Sequence, residues 1–209
     1  MTAGLQTSLF DTTDAGPVLT SMTAGIRRTE LSDGAWVDVR PGWLQGSVDV
    51  FDALRTQVPW RAEERRMYDA TVAVPRLLAM YLGNDRLPHP ILDVARDALS
   101  AHYRSALPGG FETAGLCLYR DGNDSVAWHG DRIGRGRTHD TLVAILSLGA
   151  PRPLLLRPYG GGASRRFVLG SGDLLVMGGS CQRTWEHAVP KASGVGPRVS
   201  VQFRPAGVF

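Results

Sequence analysis

Beyond Phe111 the chain breaks into short apolar runs, at residues 116–119, 141–148, 154–156, 166–169, 174–177 and 199–203, separated by Gly, Pro and Asp turns. Many short strands at such spacing specify a sandwich or a barrel, and the double-sheet form is a jelly roll, the double-stranded β-helix of cupin-like proteins. The earlier part of the chain reads differently. Val48, Val50, Phe51, Leu54 and Val58 recur at helical spacing and stop before Pro59, which predicts a core-facing helix over 47–57. A second helix over 90–103 has Pro90 in its first turn and an apolar stripe of Ile91, Leu92, Ala95, Ala98, Leu99 and Tyr103. The expected class is therefore α+β and mainly β, a jelly roll buttressed by N-terminal helices.

With 209 residues and 43% hydrophobic content the chain can bury one core, and nothing in it requires a second domain. Residues 1–28, rich in Thr, Ser, Gly and Asp, read as a flexible tail, and 29–209 as the domain. Within the domain, 35–39 and 43–44 are short apolar runs broken by Gly34, Pro41 and Gly42, a strand-and-turn pattern. A net charge of +3 and a pI near 9.2 permit phosphate binding without demonstrating it. Cys117 and Cys181 have neither metal-site nor disulfide-framework spacing, which suits a reducing cytosol. No secretory segment or membrane-length apolar run is present, so the expectation is a soluble cytoplasmic protein with no membrane partner.

The residues that carry chemistry lie inside the strand-rich part. His129 and Asp131 stand two apart and share a face if their segment is extended, and a distant His187 completes a set of two imidazoles and one carboxylate. Such a set can be a facial triad that leaves three positions open on non-haem Fe(II); taken alone, it is equally a zinc site or a coincidence. Near the C-terminus Arg198, Ser200, Gln202 and Arg204 alternate onto one strand face, and two inward arginines require an anion. His89 and His102 have no acidic neighbour at ligand spacing and read as structural. Trp128 and Trp185 read as core, His139 and Asp140 as a turn, and Asp173 as closing a hairpin.

From about 111 to 204 the chain resembles the AlkB family of iron- and 2-oxoglutarate-dependent oxygenases, particularly its nuclear, DNA-repairing members. The resemblance rests on four segments in order: Leu118-Tyr119-Arg120-Asp121 leading to Trp128-His129-Gly130-Asp131, then Ile145-Leu146-Ser147-Leu148-Gly149, then Gly172-Asp173-Leu174-Leu175-Val176-Met177 running into His187, and Pro197-Arg198 through Arg204. It implies that His129, Asp131 and His187 bind Fe(II). It also implies that Arg198, helped by Tyr119, takes the distal carboxylate of 2-oxoglutarate, that Arg204 takes the metal-proximal one, and that Ser200 donates a hydrogen bond. The implied reaction consumes O2 and 2-oxoglutarate, yields succinate, CO2 and an aldehyde, and removes alkyl groups from bases in single- or double-stranded DNA, with RNA as the alternative.

The resemblance also assigns 60–85 to a lid over the substrate nucleotide, where Arg76 could hold a phosphate and Tyr81 could stack on a base; a solvated Arg and a half-buried Tyr are the plain alternatives. Arg132, Arg135 and Arg137, on a Gly-punctuated loop after Asp131, suit phosphates, against an ordinary solvated loop. Gln6, Leu9 and Phe10 in the tail look like the short motif by which bacterial repair proteins dock on the replication sliding clamp. Departures from the family are specific. Cys117 stands where members carry Asn, Ser200 and Gln202 stand where they carry Asn and a hydroxyl residue, and Ile133 replaces an acidic residue that reads the base. The cosubstrate pocket is thus expected to lack amide donors, and a same-chemistry oxygenase on another substrate, or a non-catalytic nucleic-acid or clamp-binding module, stays open.

Overall fold

Strict alternation of side chains along the strands sorts this chain into layers. The computed structural model describes residues 16–67, 70–131 and 135–208, with the side chains of 64–67, 70–73 and 135 left out. Gln6, Leu9, Phe10, Arg132 and Ile133 lie outside the described residues. In chain order the strands are β1 (Val18–Leu19), β2 (Arg27–Glu30), β3 (Ala35–Arg40), β4 (Leu44–Gln45), β5 (Arg61–Met67), β6 (Ala70–Tyr81) and β7 (Thr113–Tyr119). They continue as β8 (Val126–His129), β9 (Val143–Gly149), β10 (Arg152–Pro158), β11 (Arg165–Leu169), β12 (Asp173–Gly179), β13 (Trp185–Val189) and β14 (Arg198–Arg204). The helices are α1 (Ser47–Gln57), α2 (Pro90–His102) and the single turn α3 (Cys181–Thr184).

Eight strands form a large antiparallel sheet in the order β2-β3-β12-β9-β14-β7-β6-β5, and four form a small one in the order β11-β10-β13-β8. The chain crosses repeatedly between the two, which is the jelly roll expected from the strand spacing. On the outer face of the large sheet Ala114, Leu116, Leu118, Ala144, Leu146, Leu148, Val199, Val201 and Phe203 pack with Val50, Phe51 and Leu54 of α1 and Leu92, Ala95 and Leu99 of α2. Between the sheets lies a second apolar cluster that includes Val143, Ile145, Leu175 and Met177 from the large sheet and Leu154, Leu156, Trp185 and Val189 from the small one. Odd and even residues of one strand thus serve different cores.

α2 starts as its sequence specifies: Pro90 occupies the first turn, where no N–H is needed, and the His89 Nδ1 accepts from the Ile91 N–H at 3.2 Å. His89 is therefore a cap. Gly149 ends β9 with φ of 87°, and a Cβ there would stand 2.6 Å from the Pro197 carbonyl oxygen and 2.7 Å from the Phe51 ring, so only glycine fits.

Three expectations need correction. The tail was expected to reach 28, but Val18 and Leu19 pair with β4, and Arg27 and Arg28 pair with β3, because Arg28 grips the buried Asp38 through two 2.7 Å hydrogen bonds. Asp173 does not close a hairpin. It sits where the chain passes from one sheet to the other, accepting from the N–H groups of Gly170 and Gly42, each at 2.8 Å. Trp128 is only half-buried, and Arg157 lies over its ring at 4.2 Å, whereas Trp185 is core as expected. Among the described residues no helix is long and apolar enough to cross a membrane.

Candidate active site

His129 ends β8 and faces His187 of β13 across the small sheet, their rings 4.2 Å apart. The register shifts here, three residues of β8 covering two of β13, and such a bulge re-aims the side chains at a strand end. Asp131 lies just past the strand. Its N–H donates to the Gln182 Oε1 at 3.3 Å, and Gln182 belongs to α3, the turn that delivers β13. One local structure therefore sets both His187 and Asp131. The ligand atoms of His129, Asp131 and His187 all lie within 4.8 Å of one another, and they are the cluster of this kind found among the described residues.

The electrostatics prepare this cluster for a cation. The His129 Nδ1 lies 2.9 Å from the Ala127 carbonyl oxygen, which can only accept, so Nδ1 is the donor there and Nε2 is the ring nitrogen left to face a metal. Burial, with His129 beside it, depresses His187 to about 3, leaving it a neutral ligand at any ordinary pH. Burial pushes Asp131 upward, but the neighbouring charge of Arg204, which also hydrogen-bonds the carboxylate, outweighs it and holds the carboxyl at about 2. Arg204 makes that pairing directly, its Nε standing 3.1 Å from Asp131 Oδ2.

A cavity of about 630 Å³ opens beside the cluster, a volume that suits small-molecule ligands. Its walls include Tyr119, Arg198, Ser200, Gln202 and Arg204, together with Arg61, Arg76 and Tyr81 from the β5–β6 hairpin. At one end Arg198 is 2% exposed, its Nε donates to Ser147 Oγ at 2.9 Å, and its Nη1 has no acceptor among the described residues. A buried guanidinium without a carboxylate is a built anion site. Tyr119 stands beside it, its ring 5.3 Å from the Arg198 guanidinium and 5.5 Å from that of Arg152. Burial, with Cys117 adding to it, pushes the Tyr119 phenol up to about 12, so it remains a neutral donor.

The structure thus brings together seven of the expected residues: the three of the cluster and Tyr119, Arg198, Ser200 and Arg204. Arg76 and Tyr81 join them in the cavity, and Arg76 also reaches the Ser125 carbonyl at 3.4 Å. Arg137 is exposed on a 3-10 turn (Arg135–Arg137) and is not a cavity residue, while Gly136 packs against the Asp131 carbonyl, where a Cβ would stand at 2.5 Å. Sequence reading missed Gln182, Ser147 and Arg152. Arg152 is 1% exposed and ties the carbonyls of Asp121, Asp124 and Pro190 together beneath Tyr119. Ser147 and Arg152 are polar residues in apolar strands, Gln182 sits in the short turn α3, and only burial reveals them. The expected shortage of amide donors is also corrected, because the Gln202 carboxamide lies in the cavity wall between Arg204 and Cys117.

A jelly roll with two histidines and a carboxylate at its open end, and a buried arginine at the far end of the cavity, has the architecture of the non-haem iron oxygenases that use a 2-oxo acid. Comparison with known proteins agrees: the model of the 2OG-Fe(II) oxygenase superfamily matches residues 81–204. The chain belongs to that superfamily, whose members use Fe(II), 2-oxoglutarate and O2, and it is AlkB-like within it. The cattle (Bos taurus) alpha-ketoglutarate-dependent dioxygenase alkB homolog 3 is 32% identical over 206 residues, covering 86% of this chain and 66% of that protein. A DNA oxidative demethylase of Arabidopsis thaliana is 30% identical over 200 residues, covering 77% of this chain and 62% of that protein. The chain spans roughly half to two thirds of the length of the curated relatives it matches, between 51% and 66%. A solved structure titled "The structure of OsALKBH1" superposes with a TM-score of 0.58 at 15% identity, covering 86% of this chain and all of that one, and supports the fold.

Proposed function

We propose that this protein oxidatively removes alkyl groups from N-alkylated bases in nucleic acid, DNA before RNA. The observation that carries the reading is the juxtaposition of the His129, Asp131 and His187 cluster with the unpartnered Nη1 of Arg198 in one cavity. The donor set fits Fe(II), since two neutral imidazoles and one carboxylate leave a positive charge and open positions. When bound, Fe(II) with 2-oxoglutarate supplies oxidation of a C–H bond coupled to decarboxylation. The chain's own residues do the rest. Arg198 and Tyr119 hold the distal carboxylate, Arg204 and Ser200 attend the metal-proximal end, and Arg204 keeps Asp131 ionised and oriented. The apolar wall of Ile145, Leu154 and Val189 excludes water.

Arg76 and Tyr81 line the same cavity from the hairpin over 61–81 and would receive a nucleotide turned out of its strand. The names of the relatives support this substrate class. Arg132, Arg135 and Arg137 would contact phosphates on the approach, and Gln6, Leu9 and Phe10 would tether the protein to a sliding clamp in the cytoplasm. Mass spectrometry of methylated oligonucleotides after incubation with enzyme, Fe(II) and 2-oxoglutarate tests the reading. Expected are loss of 14 mass units per lesion and stoichiometric succinate with the native chain, and neither with Asp131→Ala. Succinate without repair of any DNA or RNA lesion would transfer the same chemistry to another substrate; no succinate at all would leave a binding module.

A further inference from the structure

The face of the small sheet that turns away from the cavity carries a polar cluster of its own. Arg157 of β10 and Glu186 of β13 stand opposite one another across the ladder, while the next pair, Leu156 and His187, turns to the inside. The Arg157 Nε and Nη2 lie 3.1 and 3.0 Å from Glu186 Oε2, and the same guanidinium covers the Trp128 ring at 4.2 Å. Trp128 belongs to β8, so one guanidinium gathers side chains from three adjacent strands. Trp128 and Glu186 are the residues immediately before His129 and His187.

This bracket sits where the ladder is weakest. β8 is an edge strand, and its pairing with β13 rests on His129 with His187 and Val126 with Val189, the register shifting between them. An edge strand with an interrupted ladder opens easily, yet His129 is its last residue, and a metal ligand must be held to within roughly 0.5 Å. The Glu186 side chain is only 15% exposed, so the pair is shielded rather than freely solvated. We propose that Arg157 is a positioning residue for the metal centre: paired with Glu186 and seated on Trp128, it locks β8 against β13 and so sets the separation of His129 from His187. The inference rests on the reading of His129, Asp131 and His187 as the metal ligands. Arg157, Glu186 and Trp128 are not cavity residues, so the role is exercised through the strands and not by contact with a ligand.

Calorimetry with Mn(II) on the full metal-free chain tests this, together with the absorption spectrum of the Co(II)-loaded protein, which reports coordination geometry. Arg157→Met should weaken Mn(II) binding about tenfold, the scale on which groups supporting metal ligands act, and should shift the Co(II) bands. Trp128→Ala and Glu186→Gln should each weaken binding by a similar factor. Arg157→Lys and Trp128→Phe keep a cation on a ring and should stay within about threefold of the native chain. The double variant Arg157→Met with Trp128→Ala should bind no worse than either single variant, because both remove one and the same bracket. Arg96→Met, which breaks the ion pair with Asp93 on α2, should leave Mn(II) affinity and the Co(II) bands unchanged. Charge alone gives a different pattern, since losing Arg157 would tighten the hold on a cation and losing Glu186 would loosen it. Opposite signs in Arg157→Met and Glu186→Gln would therefore overturn the proposal, as would native-like Mn(II) affinity and Co(II) bands in a folded Arg157→Met. Should Arg157→Met fail to fold, the contrast between Trp128→Ala and Trp128→Phe decides in the same way. An equal loss in Arg96→Met would overturn the proposal too, because the effect would then be a general loosening of the fold. If the native chain itself binds no Mn(II), the metal reading fails first and this inference falls with it.

Discussion

At the scale of single residues, the site is a set of charges that the fold holds at a cost. Arg198 is wholly enclosed, has no carboxylate partner among the described residues, and burial lowers the pKa of its guanidinium. An uncompensated buried charge opposes folding, so the unliganded protein should gain when it is removed. Arg198→Met is expected to leave the melting temperature of the unliganded protein unchanged or higher. The same variant should weaken 2-oxoglutarate binding by at least about a hundredfold, since a buried carboxylate would lose its charged partner, a loss of roughly 3–5 kcal/mol. Thermal melts and cosubstrate titration check the two halves. A variant that melts lower and still binds normally would move the anion site elsewhere.

At the scale of elements, α2 packs on the large sheet through an apolar interface that carries, among the described residues, a polar contact at its end. The Tyr103 hydroxyl, just past the end of α2, donates to Asp38 Oδ2 of β3 at 2.9 Å, and the Arg28 guanidinium closes the other side of that carboxylate. Burial, reinforced by the Asp38 charge, raises the pKa of the phenol far above its ordinary value. A raised phenol pKa means that the folded state keeps a proton which the unfolded chain loses above about pH 10. The contribution is therefore complete below that pH and disappears as pH rises further. Melting temperature should fall steeply above about pH 10, with Tyr119 and Cys181, both pushed up to about 12 by burial, adding to the slope. Tyr103→Phe should cost about 1 kcal/mol at neutral pH and make the alkaline fall shallower. An unaltered alkaline profile would show that the phenol ionises freely in the folded state.

The elements also show what sequence could and could not reveal. α1 and α2 were legible because a helical stripe needs only one apolar face, β9 and β12 because short apolar runs between turns mark strands buried on both faces, and β14 because alternation puts its polar residues on one face. β5 was not. Residues 61–66 are a run of charged side chains with no apolar alternation to mark a strand, although they form an edge strand of the large sheet. Pairing is a long-range decision that leaves no local trace at a polar edge. Within the site, His129, Asp131, His187, Arg198 and Arg204 were legible as an ordered set of residue types. Gln182, which orients Asp131 from α3, was not, because a lone glutamine carries no periodicity and its partner lies 51 residues away.

At the scale of the whole molecule, the site is a junction between the two sheets. His129 and His187 belong to the small sheet, whereas Asp131 is fastened through Arg204 to β14 at the centre of the large one. A cation held by all three would tie the sheets together at their open end, where the polar cavity interrupts the apolar cluster between them. Binding to the folded chain alone raises stability by RT ln(1 + [L]/Kd), about 2.7 kcal/mol at a hundredfold excess over Kd. Mn(II) should therefore raise the melting temperature by several degrees, and 2-oxoglutarate should add a further increment only when the metal is present. Chelation should return the protein to its unliganded melting temperature without unfolding it, because both apolar clusters are complete without the ion. Asp131→Ala should abolish both increments, and Leu146→Ala neither, although its loss of core packing on the helix side should cost about 2–5 kcal/mol of stability and so lower every melting temperature. Scanning calorimetry on the three proteins separates these outcomes. A 2-oxoglutarate increment that persists without metal would place the anion site apart from His129, Asp131 and His187 and dissolve the junction.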